Sequence, residues 1–161
     1  MRTSFVNNRD EIDQIIASCD VCFVGMVDID GMPYVIPMNF GYDGENIILH
    51  SGPEGKYLDL LGKDNRVCIT FCSQRELRCQ HPDVACSYSM ESKSVVCKGM
   101  VFFIDDNDLV TKERYMNIIM KNYSEREFKY SEPALRNVKV WKVRIDSITG
   151  KAFGQNFKST F

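Results

Sequence analysis

The sequence has no apolar run long enough to cross a membrane as a helix, and its opening, Met1-Arg2-Thr3-Ser4-Phe5-Val6-Asn7-Asn8, lacks the continuous apolar stretch of a secretory signal. A cytoplasmic location with no membrane partner is the expectation. Charge of one sign is scarce as well. With a net charge of -2 and scattered lysines, the chain has no basic field to gather nucleic-acid phosphates, so nucleic acid is not an expected partner. Internal repeats, low-complexity segments and linkers are absent, and 161 residues suffice for one real core but not for two comfortable ones. A single domain over 1–161 is expected. Apolar residues at 44% and charged residues at 26% leave no case for wholesale disorder. Seven cysteines are an odd number, which suits reduced thiols better than a disulfide framework. One polar loop holds Cys72, Cys79, His81 and Cys86, but their separations do not match the paired knuckles of structural zinc, so no metal is expected.

What is present is a run of strand patterns with a few amphipathic helices. Asn8 with Glu11 three positions on resembles a helix start, and Ile12, Ile15, Ile16 and Cys19 recur at helical spacing, predicting a helix over 9–19. The pattern then predicts strands over Val21–Val27, Tyr34–Phe40 and Ile47–Ser51, separated by the turns Asp28-Ile29-Asp30-Gly31 and Tyr42-Asp43-Gly44-Glu45. Both faces of the first strand are apolar, which places it centrally in a sheet or in a closed barrel. A helix from Lys56, a strand over Arg66–Phe71 and an extended run strongest at Ser94–Phe103 follow. Gly99 in mid-strand there predicts a bend. Asp105 or Asp106 is expected to cap a long helix whose buried face holds Leu109, Met116, Ile119, Met120 and Tyr123, ending near Tyr130–Pro133. Val138–Ile145 alternates as a last strand, and a tail over about 147–161 completes the chain. The fold class is mainly β with peripheral helices: six strands and three helices.

The chemistry is concentrated between Tyr34 and Lys56. Pro37 interrupts a strand and cannot donate to a ladder, so it marks an edge or bulge whose backbone groups are free to meet a flat, polar-edged ring. The loop Gly52-Pro53-Glu54-Gly55 opens the helix at Lys56, where free amides, the Ser51 hydroxyl and the Lys56 ammonium converge on one point suited to an anion such as phosphate. Read without that context, Lys56 is a solvated lysine and Ser51 an ordinary turn residue. His50 closes an apolar strand; it is either a core histidine satisfied by one hydrogen bond or a proton donor beside a bound ring.

The order of Gly31-Met32-Pro33-Tyr34-Val35-Ile36-Pro37-Met38-Asn39-Phe40, His50-Ser51, Gly55-Lys56-Tyr57-Leu58-Asp59-Leu60-Leu61 and Ala85–Met90 before Ser94-Val95-Val96 resembles a known family. It is similar to the pyridoxamine 5'-phosphate oxidase-like split barrels that bind FMN, within them to the nitroimidazole-resistance subgroup. The resemblance runs from about Ile12 to Phe153. It implies a six-stranded antiparallel split β-barrel, a homodimer, and FMN in a groove between subunits. By position, Ser51, Gly55 and Lys56 would hold the phosphate. Ile36, Pro37, Met38, Asn39 and Phe40 would line the isoalloxazine with His50 nearby, and Ser94 would add a polar contact. Gly150 and Lys151 fall where the family brings a partner subunit's tail toward the ring. Two departures stand out. Gly55-Lys56 replaces the Arg-Lys pair of the oxidases proper, leaving one cation, and the C-terminal basic residues that grip pyridoxamine phosphate are missing. The resemblance thus implies a reductase of nitro- or quinone-like compounds, with a nicotinamide electron donor. The alternatives are a heme- or flavin-binding protein without turnover and a pyridoxamine 5'-phosphate oxidase.

Overall fold

The structure, a computed structural model, describes residues 3–154. The elements are β1 (Thr3–Val6), α1 (Arg9–Ala17), β2 (Cys22–Val27), β3 (Pro33–Met38), β4 (Phe40–Tyr42), β5 (Asn46–Ser51) and α2 (Lys56–Lys63). These are followed by β6 (Arg66–Cys79), a 3-10 turn (Ala85–Ser87), β7 (Tyr88–Phe103), α3 (Leu109–Lys121), α4 (Glu132–Arg136) and β8 (Lys139–Phe153).

Every strand pairing is antiparallel, and seven strands follow in the order β3-β2-β6-β7-β8-β5-β4, with β1 added against β8. The strands β3 and β4 stand at opposite ends of that order, yet only Asn39 separates them in the chain. The sheet therefore curls until its edges meet, and the ring is closed by a covalent corner instead of a hydrogen-bonded ladder. This is a split barrel. The corner is clasped from a distance: the Tyr123 hydroxyl accepts from the Phe40 amide at 2.9 Å and donates to the Asp20 carbonyl at 2.8 Å.

Inside the ring, Cys22, Val24 and Met26 of β2 meet Ile69 and Phe71 of β6, Val95 of β7 and Trp141 of β8, all buried. Phe40 and Phe71 touch edge to face with centroids 4.9 Å apart. Burying each such ring stabilises the fold by roughly 1.5–3 kcal/mol. One face of α1 adds Ile12, Ile15 and Ile16, and its Asn8 cap accepts from the Glu11 amide at 3.1 Å. Outside the ring, α3 lays Tyr115 and Ile119 over Ile48 and Val140. Gly41 permits this approach, since a Cβ there would meet the Ile119 amide nitrogen at 2.7 Å.

Several expectations are corrected. Eight strands replace six among the described residues, because Asn39 breaks the predicted Tyr34–Phe40 strand and Thr3–Val6 becomes a strand only by pairing with distant β8. Residues 147–153 of the expected tail continue β8 along β7, and 150–153 are also paired with β1; the tail beyond 154 lies outside the described residues. The long helix is capped by Asp108, which accepts from the Thr111 amide at 3.0 Å, so Asp105 and Asp106 are not its cap. That helix ends at Lys121, and Ser131 starts the separate α4. Its buried face carries Lys112, Tyr115 and Ile119, while Tyr123 is partly exposed. Lys112 is fully buried because its ammonium is satisfied three times, by the Leu135 carbonyl at 3.0 Å, the Val138 carbonyl at 2.8 Å and Asp106 at 3.3 Å.

All seven cysteines are free. Cys19 and Cys22 stand at Cys-x-x-Cys spacing, yet both are buried, and burial pushes the Cys22 thiol up to about 12. Such a thiol is a packing group, not a redox centre.

The expected bend falls at Gly99, where the β7–β8 register shifts and an added Cβ would lie 2.0 Å from the Arg144 carbonyl oxygen. Gly99→Ala should therefore destabilise the protein by roughly 1–3 kcal/mol. Exposed Gly62 in α2 has open space around its missing Cβ, so Gly62→Ala should instead stabilise by about 0.5–1 kcal/mol. Urea unfolding of the two variants checks the opposite signs.

Candidate functional site

Pro33–Met38 is an edge strand, bonded among the described residues only to β2, with Pro33, Val35 and Pro37 turned outward and Tyr34, Ile36 and Met38 packed against the core. The inward set is apolar and the outward set includes both prolines, so the exposed edge lacks two of its amide donors. Across the seam from β3 runs β5, whose end carries His50 and Ser51 into the loop before α2.

At that loop Gly55 caps α2 without a side-chain bond, at φ 156°. A Cβ at Gly55 would strike the Tyr57 ring at 2.5 Å, so only glycine fits beneath that ring. The ring itself is anchored by stacking on buried Trp141 at 6.3 Å. The first-turn amides of α2 are thus left without a side-chain acceptor, with the positive end of the helix dipole behind them. The nearby Ser51 hydroxyl donates to the Gly52 carbonyl at 3.1 Å and can serve an anion only by turning that proton toward it. Lys56 extends from the same turn, its ammonium 4.9 Å above the Tyr34 ring and bonded to the Asp28 carboxylate. That bond holds Asp28 below the usual carboxylate range and raises Lys56, so both are charged at neutral pH.

His50 lies opposite Val140 on the face of Ile48, under the α3 cluster, and its Nδ1 is buried without a partner. Burial lowers its pKa from the ordinary value, because a charged imidazolium would lose hydration there. At neutral pH the ring is neutral, a hydrogen-bonding group with an unmet valence.

Of the expected site residues, Ser51, Gly55 and Lys56 share one loop and Lys56 reaches β3 at Tyr34. Ile36, Pro37 and Met38 lie further along that strand with Asn39 and Phe40 at the corner beyond it, and His50 is on the face of Ile48. Phe40 is fully buried. Ser94, Gly150 and Lys151 are elsewhere in the same chain. Ser94 is the register partner of Lys151, near the end of β8, whereas Ser51 lies opposite Lys139 at its start. Gly150 packs against Val6 and Ile12, and Lys151 covers the Phe5 ring at 5.6 Å. Among the described residues no group of three or more His, Cys, Asp or Glu side chains is placed to hold a metal ion.

Two features were not read from the sequence. Asp28 lies within a segment whose pattern predicts only a turn, and its bond to Lys56 depends on α2 docking beside the β2–β3 hairpin. The second is an open apolar groove of about 580 Å³ on the outer sheet face, bordered by Gly25, Val27, Val35, Arg66, Cys68 and Lys98. Its signal was the doubly apolar pattern of β2.

The donors present fit a phosphomonoester with an attached ring: uncapped amides, a hydroxyl, one ammonium, a glycine cradle and an edge strand. A family model described as pyridoxamine 5'-phosphate oxidase matches residues 8–152. The chain belongs to this family. A candidate 5-nitroimidazole antibiotic resistance protein of Bacteroides thetaiotaomicron VPI-5482 is 47% identical, with 94% of this chain and 88% of that one covered and a TM-score of 0.84. The fold also recurs in an FAD and heme binding protein of Mycobacterium smegmatis, at 16% identity, 99% and 77% coverage and a TM-score of 0.81. A third likeness is an FAD-binding protein of Mesorhizobium loti, at 18% identity, 96% and 100% coverage and a TM-score of 0.68. No curated protein matches the chain significantly. The Mycobacterium smegmatis and Mesorhizobium loti proteins are FAD-binding proteins.

The His50 environment makes a pH prediction. The unfolded chain, where histidine titrates near ~6.5, takes up the proton before the folded one. The contribution of His50 to stability is full above that value and is lost as pH falls through the lower folded pKa. His50→Gln should consequently lose less stability than the parent between about pH 7 and about pH 5, measured by urea unfolding at both. Equal losses would remove this account of His50.

Proposed function

We propose that the protein is an FMN-dependent oxidoreductase of small molecules, a reductase of nitro- or quinone-like compounds that draws on a nicotinamide donor. The observation that carries this reading is the glycine-capped start of α2 with Lys56 beside it, facing the edge strand β3. In this reading the α2 amides, Ser51 and Lys56 hold the phosphate, and the strand from Ile36 to Phe40 lines the ring. When bound, a flavin supplies the capacity to accept and pass on hydride or electrons, so the chain needs no nucleophile of its own. Its residues bind, orient and exclude water. The imidazole of His50, neutral and unpaired at Nδ1, lies at the end of β5 next to Ser51. The nitro-compound assignment draws on the likeness to the nitroimidazole-resistance candidate.

The functional unit we propose is a homodimer with FMN at the subunit interface. Phe23, Val27 and Val35 are about half exposed, at 47%, 47% and 59%, on the outer face of adjacent strands. A second copy burying that face would also explain why Ser94, Gly150 and Lys151 are remote from Lys56 within one chain. We place the protein in the cytoplasm, since no helix of the described chain is long and apolar enough to span a membrane and the free thiols suit a reducing compartment.

Two outcomes test this. Lys56→Ala should weaken FMN binding about ten- to hundredfold, as loss of a charge-assisted hydrogen bond does, in a flavin-fluorescence titration. Undiminished binding would remove the phosphate assignment. Val35→Glu, placing a charge on the outer face, should shift the protein from dimer to monomer in light scattering and reduce FMN retention with it.

A further inference from the structure

The Lys56 ammonium does not wait for an anion unaccompanied. Asp28 already holds it, and the details of that contact make the aspartate the fixed partner of the two. The Asp28 side chain is 18% exposed against 54% for Lys56. One carboxylate oxygen accepts the Ile29 amide at 2.5 Å, while the other faces Lys56. The backbone beneath is clamped as well: the Asp28 amide donates to the Met32 carbonyl at 2.7 Å, and the Gly31 amide donates to the Asp28 carbonyl at 2.9 Å. Gly31 adopts φ 78°, which closes this turn without strain. Asp28 is thus a pre-set carboxylate, and Lys56 is a long, mobile side chain drawn to it across the Tyr34 ring.

A phosphomonoester arriving at the α2 N-terminus competes with this carboxylate for one ammonium, and its own negative charge is repelled by the carboxylate that stays behind. Resting on the phosphate reading of the α2 N-terminus, we propose that Asp28 is a specificity-determining counter-ion that lowers retention of the phosphorylated flavin relative to the unphosphorylated one. The lysine is therefore shared between an internal and an external anion. Other charged groups near the pair are Asp30 and Lys63, which are of opposite sign and do not replace the direct contact.

Titrations of FMN and of riboflavin against the parent, Asp28→Asn, Asp28→Ser and Lys56→Ala, at one low ionic strength, test this. Asn keeps an oxygen for the Ile29 amide and removes the charge, and Ser is the second variant should Asn perturb the turn. The expected result is FMN binding roughly tenfold tighter in both Asp28 variants, the scale of a few-ångström charge interaction near water, with riboflavin unchanged. FMN affinity equal to or below the parent's, with Lys56→Ala still weakening FMN, would overturn the counter-ion role and leave the phosphate site standing. A parallel gain for riboflavin would also overturn it, because the effect would not pass through the phosphate. Full FMN affinity in Lys56→Ala would overturn both together.

Discussion

A single run of chain, residues 33–42, has to supply both edges of one curled sheet, and the rest of the architecture follows from that demand. The run turns at Asn39, so the ring is joined through covalent bonds at its corner and left open along a seam above it. On the β4 side of the seam α3 covers the opening, seated by the missing side chain of Gly41. On the β3 side no element of the described chain pairs with the strand's outer edge, and its prolines make that edge a poor template for another strand. The start of α2 reaches across from β5 to Tyr34 and Asp28. The approach of a helix N-terminus to an open sheet edge is a consequence of how the barrel closes, before any ligand is considered.

The site's chemistry rests on fixed and mobile parts. Backbone amides of α2 cannot move without unwinding a helix whose Tyr57 is stacked on buried Trp141. The ammonium of Lys56, by contrast, sits on a flexible stem and is drawn by whichever anion is nearest. A phosphate ligand in such a place is oriented chiefly by the main chain, with the side-chain cation adding attraction that depends on its surroundings. This division explains why one cation in place of two is compatible with a phosphate site, and why the electrostatics around that cation deserve as much weight as its presence.

Much of this was legible in the sequence because it is local. The α1 face, its Asn8 cap, the Gly99 bend, the edge character of Pro37 and the glycine before Lys56 each follow from residue type and spacing. What escaped is what tertiary pairing decides. Thr3–Val6 has no periodic signal strong enough to announce a strand and becomes one beside β8. Residues 147–153 read as a tail because their apolar spacing weakens, yet they pair along β7 and, from Gly150 on, with β1 as well. A lysine within α3 carries no local signal of burial, and the two carbonyls around α4 together with Asp106 make the burial of Lys112 possible. Asp28 belongs to this class: nothing within a turn of sequence foretells a partner from another element.

The clasp at Tyr123 has a consequence for how the molecule assembles. One phenol ties the corner after Met38 to the segment before Cys22, although it comes from beyond the end of α3. Sequence-neighbouring hairpins such as β2–β3 and β6–β7 can form early, but the corner cannot lock until that distant segment has arrived. High-separation contacts of this sort form slowly. The corner therefore takes its final shape among the last events on the folding pathway, and a nascent chain stalled before Tyr123 would hold its early hairpins and no locked corner.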